Sequence, residues 1–136
     1  MYLIDLNGRA IKLTLSKQKR ENCSKPHREI RELFSKLLPT FNIYEEVYVS
    51  GVYLDFFIPL LKTVIEVDGK QHDNYVEFFH KDGPGFLKSI QRDEKKEEFC
   101  RINELHLVRI PANMIDDKEN LINEVLYGRR RYNPVD

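Results

Sequence analysis

The sequence predicts an α/β domain in which helices flank a mixed central sheet, with a β-hairpin added at the N-terminus. Two observations carry this. Apolar residues recur at helical spacing over Ile30, Leu33, Phe34 and Leu37, ahead of Pro39. Three strand-like runs, "IYEEVYV", "VYLDFFI" and "TVIEVD", then follow one another with only short breaks, and a fourth, "LHLVRI", comes after a helix. The order is hairpin, helix, three strands, helix, strand, helix.

Each element has a local reason. "YLIDLNGRAIKLTL" reads as two short runs joined at Asn7-Gly8, the pair that a type I′ turn favours. "SKQKRENC" is polar, basic and turn-like, so residues 1–23 form a hairpin and linker and residues 24–136 the main domain. Ser24 can cap the first helix, whose early Pro26 lacks an N–H that the first turn would leave unpaired anyway. Ser50-Gly51 separates the first two strands of the sheet, Pro59 closes the second, and a short "LLK" connection leads into the third. Residues 73–85, with Gly83-Pro84-Gly85, read as irregular. A longer helix is expected from Phe86 to Asn103, a strand ending at Pro111, and a last helix from Lys118 to Leu126 that stops at Gly128.

With 136 residues and 41% hydrophobic content the chain has room for one proper core. No apolar stretch is long enough to span a membrane, and "MYLIDLNGRA" lacks the pattern of a signal peptide. Cys23 and Cys100 have no C-x-x-C spacing, so both read as reduced thiols of a cytoplasmic protein, with Cys100 packed in a helix. The 22 basic and 22 acidic residues balance but are laid out unevenly. Lys12, Lys17, Lys19 and Arg20 crowd the N-terminal part and Arg129, Arg130 and Arg131 the end, while acids dominate between Ile43 and Phe78. Basic flanks around an acidic middle suit a protein that grips phosphate and holds a divalent cation.

The middle poses the chemical question. "VIEVDGKQH" places Glu66 and Asp68 on one face of a strand whose other face carries Ile65 and Val67. Asp55 sits inside "YLDFFI", and an antiparallel pairing across the "IPLLKT" turn brings it opposite Glu66 or near it. Carboxylates gathered this way repel unless a cation sits between them, and oxygen-rich clusters suit Mg²⁺ or Mn²⁺. In the following helix Phe86, Ile90 and Cys100 define an inward stripe that also takes in Asp93 and Glu97, with Arg92 and Arg101 as candidate partners. Gly69 offers a tight exit from the strand that releases Lys70, Gln71 and His72 toward the site. His27, His80 and His106 read as ordinary surface or satisfied residues.

"YLDFFIP", "TVIEVDGKQH" and "RDEKKEEFCRINELHLVRIP" together resemble the PD-(D/E)XK, or restriction-endonuclease-like, nucleases, over about residues 24 to 127. The likeness is nearest to the branch of very-short-patch-repair-like endonucleases and small phage or homing relatives. Glu29, Asp55, Glu66, Asp68, Gly69, His72, Asp93 and Lys96 fall at matching positions. Leu54 stands where the superfamily's proline would be, and Glu66-Val67-Asp68 has Asp where its lysine would be; sliding by two residues gives Asp68-Gly69-Lys70.

The resemblance implies a restriction-endonuclease-like core and a Mg²⁺-dependent endodeoxyribonuclease, with Mn²⁺ able to substitute. Asp55, Glu66 and the backbone of Val67 would hold the metal. His72 or Lys70 would orient or deprotonate the water, and Asp93 with Glu29 would complete the site. Lys12, Lys17, Lys19, Arg20, Lys96 and Arg129 to Arg131 would hold the DNA backbone. It further implies a bacterial or phage-infected cell, and a possible two-fold homodimer for cutting both strands. Two other readings compete: a non-catalytic DNA-binding or assembly module on a nuclease fold, and a plain structural domain whose acids are paired by arginines.

Overall fold

Ser50 and Gly51 turn the middle of the chain back on itself. Both have positive φ, 46° and 80°, the condition for the tight turn whose twist matches that of its flanking strands. They join β3 (Tyr44–Val49) to β4 (Val52–Ile58), antiparallel from Val49↔Val52 to Tyr44↔Phe57. A 3-10 turn, Pro59–Leu61, and Lys62 in the left-handed region lead into β5 (Thr63–Asp68), again antiparallel. β6 (His106–Pro111) lies parallel to β5, which completes a mixed four-stranded sheet in the order β3-β4-β5-β6. The computed structural model describes residues 2–13, 23–68, 83–111 and 117–131.

Among the described residues three helices accompany the sheet: α1 (Lys25–Leu37), α2 (Gly83–Ile102) and α3 (Lys118–Arg131). None of those described is long and apolar enough to cross a membrane. α1 begins as the sequence suggests, with the Ser24 hydroxyl accepting the His27 N–H at 3.3 Å. Ser24→Ala should therefore cost about 1 kcal/mol, seen as a lowered midpoint in urea with an unchanged slope.

The two ends of α2 and α3 differ from expectation. α2 starts at Gly83, earlier than Phe86, since Pro84 is tolerated in a first turn, where an N–H has no partner to lose. α3 runs through Gly128 to Arg131, an interior glycine being a cost of about 1 kcal/mol and not a stop. The N-terminal strands β1 (Tyr2–Ile4) and β2 (Ala10–Lys12) pair through Leu3↔Ile11. The connection covers residues 5–9 and is not a two-residue Asn7-Gly8 turn. The Asp5 carboxylate accepts the N–H groups of Asn7 (2.9 Å) and Arg9 (2.8 Å), a local closure that competes with the tighter hairpin.

The sheet is covered on both faces. On one, Ile30 and Phe34 of α1 and Leu121 and Val125 of α3 pack on Phe56, Ile58, Ile65 and Ile110. On the other, Phe99 and Cys100 of α2, with Leu3 of the hairpin, pack on Val47, Leu54, Phe57 and Val64. In a regular strand Leu54 and Phe56 would share a face, yet they belong to different cores. The change falls at Asp55 and, on the neighbouring strand, at Glu46, whose φ is 51°. The Glu46–Asp55 position is also missing from a register that is otherwise continuous on both sides. Strand geometry is broken at one row, and that row carries the acids.

A candidate metal centre where two strands part

The β4–β5 pairing runs from Ile58↔Thr63 to Phe56↔Ile65, and its continuation sets Asp55 against Glu66, the pairing expected from the sequence. There the carboxylates replace the backbone ladder. Asp55 Oδ2 accepts the Val67 N–H at 2.9 Å, and Glu66 Oε2 accepts the Asp55 N–H at 3.3 Å. Buried amides need partners, so these bonds satisfy two that the separating strands would otherwise strand. Glu66 projects to the α2 side, where Lys96 Nζ lies 2.9 Å from Oε1. That oxygen is fully buried, and Lys96 is the charged group set against it.

Burial dominates the electrostatics. The Glu66 side chain is 4% exposed, and its carboxyl is pushed up to about 8, first by burial and then by the hydrogen bond and charge of Asp55, with Lys96 opposing. Cys100, on α2, is driven up to about 12, again by burial first and by Glu66 next. A thiol this buried and this reluctant to ionise is inert, in keeping with its expected packing role. Native protein treated with iodoacetamide at pH 8 should leave Cys100 unmodified while the half-buried Cys23 reacts, and unfolding in urea should make both available. Peptide mass mapping reads this directly; alkylated Cys100 in the native sample would contradict it.

A second group meets Asp55 from the α1 side. His27, 4% exposed, stacks on Phe56 with ring centroids 4.3 Å apart. Its Nε2 lies 2.7 Å from Glu45 Oε1. Arg31, one turn further along α1, donates to the same carboxylate from Nε (2.9 Å) and Nη2 (2.7 Å), which raises its own pKa. Beside this cluster, His27, Glu46 and Asp55 each offer one ligand atom, all within 4.8 Å of one another. Among the described residues they are the one such set of three.

The other expected site residues divide. Asp55, Glu66 and Val67 come together as anticipated. Glu29 does not join them; it pairs along the helix with Lys25 at 3.9 Å, and His27, two residues earlier and set aside as ordinary, is the α1 side chain that reaches the centre. Lys96, expected on the DNA backbone, points at Glu66. Asp93 pairs with Arg109 of β6 at 3.7 Å, and Glu97 with the same guanidinium at 3.1 Å, while Arg101 pairs with Glu98. The inward face of α2 also differs, for Ile90 is 37% exposed while Phe99 and Cys100 are buried. Lys12 is exposed on β2. Lys17, Lys19, Arg20, Gly69, Lys70, Gln71 and His72 lie outside the described residues, as do the side chains of Phe86, Asp68 and Arg129 to Arg131.

Similar proteins are viral. The chain is 32% identical over 100 residues to "Uncharacterized protein 307L" of Invertebrate iridescent virus 6, covering 69% of this chain and 50% of that protein. It is 29% identical over 96 residues to "Uncharacterized protein 033L" of Invertebrate iridescent virus 3, covering 71% and 47%. With "Uncharacterized protein 094L" of Frog virus 3 it shares 38% over 74 residues, 54% of this chain and 47% of that one. The chain thus spans about half the length of the curated relatives it matches. No protein-family profile and no solved structure matches it.

Proposed function

We propose that this protein is a metal-dependent endonuclease that hydrolyses DNA phosphodiester bonds on a restriction-endonuclease-like core. The observation that carries the reading is the meeting of Asp55 and Glu66 where β4 and β5 part, with the Lys96 ammonium 2.9 Å from Glu66. Two carboxylates and a lysine at one break in a sheet make a site that can hold a cation and still present a positive charge to a phosphate. The strand reads Glu-x-Asp where the superfamily resemblance asks for a lysine. Lys96 brings that ammonium from the neighbouring helix instead.

The acids fit a divalent cation. Glu66 keeps its proton up to about 8 because it is buried against Asp55 and Lys96 offsets only part of the crowding. Asp55 and Glu66 would hold Mg²⁺, or Mn²⁺ in its place, and the bound ion would supply Lewis-acid stabilisation of charge on the phosphoryl oxygens. Lys96 would neutralise a phosphate oxygen. Arg109, clamped by Asp93 and Glu97, would keep α2 against β6 and so keep Lys96 in place. Lys70 and His72 remain the candidates to orient the attacking water, and Lys12, Lys17, Lys19, Arg20 and Arg129 to Arg131 the candidates to grip the DNA backbone.

A second reading has its own support. Glu66, Glu45 and Asp93 each have a basic partner within the chain, as in a domain that binds or assembles without catalysis. Supercoiled plasmid incubated with Mg²⁺, with Mn²⁺ and with EDTA separates the two. Nicking or linearisation that EDTA abolishes supports the endonuclease; intact plasmid with both metals, across single-stranded, duplex and mismatched substrates, favours the module.

A further inference from the structure

From the His27 side of the centre we infer a distinct cation position, built for a first-row transition ion and not for Mg²⁺, with His27, Glu46 and Asp55 as its ligands. It does not depend on the endonuclease reading. The three ligand atoms lie within 4.8 Å of one another, a spread that one ion can bridge.

The imidazole decides the class of ion. Mg²⁺ takes oxygen ligands and keeps its water, whereas an imidazole with carboxylates suits manganese, iron, zinc and their neighbours. His27 is prepared for that role. A nitrogen 2.7 Å from a carboxylate is the one that carries the proton. In the neutral ring Glu45 therefore holds Nε2 as the N–H, and Nδ1 would be the atom that takes the ion. Glu45 is itself clamped by two Arg31 nitrogens, and the ring is held by its stack on Phe56. Carboxylate support of a metal-binding histidine from the far nitrogen is the usual way a protein sets both tautomer and orientation.

The backbone accounts for the other ligands. Glu45 faces the α1 side with His27 and Arg31, and regular alternation would send Glu46 to the opposite face. Its left-handed φ of 51° breaks that alternation, so adjacent residues of one strand serve the same cluster, Glu45 as support and Glu46 as ligand. Asp55 then stands between the two sides, bonded to Val67 toward β5 and within reach of His27 and Glu46 toward α1.

Mn²⁺ is the probe, since its unpaired electrons report on a bound ¹⁴N nucleus. Wild-type protein should bind Mn²⁺ at least about tenfold more tightly than Mg²⁺, and electron spin-echo spectra of the bound ion should show imidazole ¹⁴N modulation. His72→Asn should retain that modulation and His27→Asn should lose it. Should His27→Asn not fold, Glu46→Gln, at a half-buried strand position, decides instead: it should weaken Mn²⁺ by at least about tenfold while circular dichroism stays unchanged. Glu45→Gln, which acts only through the ring, should weaken Mn²⁺ by about 10–100-fold. Bound Mn²⁺ without ¹⁴N modulation, modulation lost in His72→Asn, an affinity untouched by Glu46→Gln, or no Mn²⁺ binding would each overturn the inference. Modulated Mn²⁺ binding with no cleavage of DNA would leave it standing and remove the endonuclease reading alone.

Discussion

Asp55→Asn should lower metal-dependent plasmid cleavage by at least about 100-fold while leaving the fold and DNA affinity in place. Loss of a group that merely orients a metal ligand costs about 10–100-fold, and a ligand shared by both sides of the centre should cost no less. Asparagine is the informative replacement. Its side-chain oxygen can still accept the Val67 N–H that Asp55 holds at 2.9 Å, so the strand junction survives and only the charge is removed. Asp55→Ala removes the charge and also leaves a buried amide unpaired, at about 1–3 kcal/mol. The pair therefore separates chemistry from scaffolding: both variants should be inactive, but only the alanine should lose several degrees in Tm. An asparagine variant that cuts plasmid at the wild-type rate would remove Asp55 from the mechanism. One that is inactive but also fails to bind DNA would point to a binding role for the same surface.

The half of the centre that was legible in the sequence is the half built from alternation. Two short strands joined by a tight connection fix which residues face each other, so Asp55 beside Glu66 follows from counting, and the structure keeps that register. The α1 half was not legible, for a physical reason. A single histidine on a helix has the same appearance whether it is packed, exposed or poised. What distinguishes His27 is Glu45 on a strand 18 residues away and a stack on Phe56. The doublet Glu45-Glu46 was a usable hint. In a strand whose neighbours are covered on both faces, one of two adjacent acids must point inward and find a partner. The positive φ at Glu46 leaves no sequence mark, since glutamate has no preference of its own for that backbone region and the surrounding structure imposes it.

Asp93 teaches a related lesson about α2. An acid on a core-facing helix reads either as part of the site or as capped by an arginine, with Arg92 and Arg101 of its own helix the candidates. The capping group is Arg109 of β6, which the parallel pairing places directly beside Glu66. Partners close in sequence were easy to nominate; the pairing across the sheet needed the order of strands. The same holds for Lys96. Read on the helix alone it was a candidate for the DNA backbone; with α2 over the sheet it is a carboxylate partner.

Glu66→Gln should make the metal-free protein more stable than wild type above pH 8, with the two alike near pH 4.5. The Glu66 carboxyl holds its proton to about 8 in the folded chain, against an ordinary 4.5. Between those values the folded state binds more protons than the unfolded, so stability falls as pH rises through the window. The cost is fully present above about 8 and absent below about 4.5, and amounts to a few kcal/mol at most. Asp55 and Lys96 are its main charged neighbours, with Cys100 and Arg109 nearby. Glutamine still accepts the Asp55 N–H, so subtracting one urea midpoint curve from the other across pH 5 to 9 in EDTA isolates this one carboxyl. A flat difference would show that Glu66 ionises as freely folded as unfolded. Saturating Mg²⁺ should then restore the wild type at high pH and leave the glutamine variant less affected, because a cation beside the pair does the work of the proton. If Mg²⁺ stabilises both proteins equally, Glu66 is not a ligand.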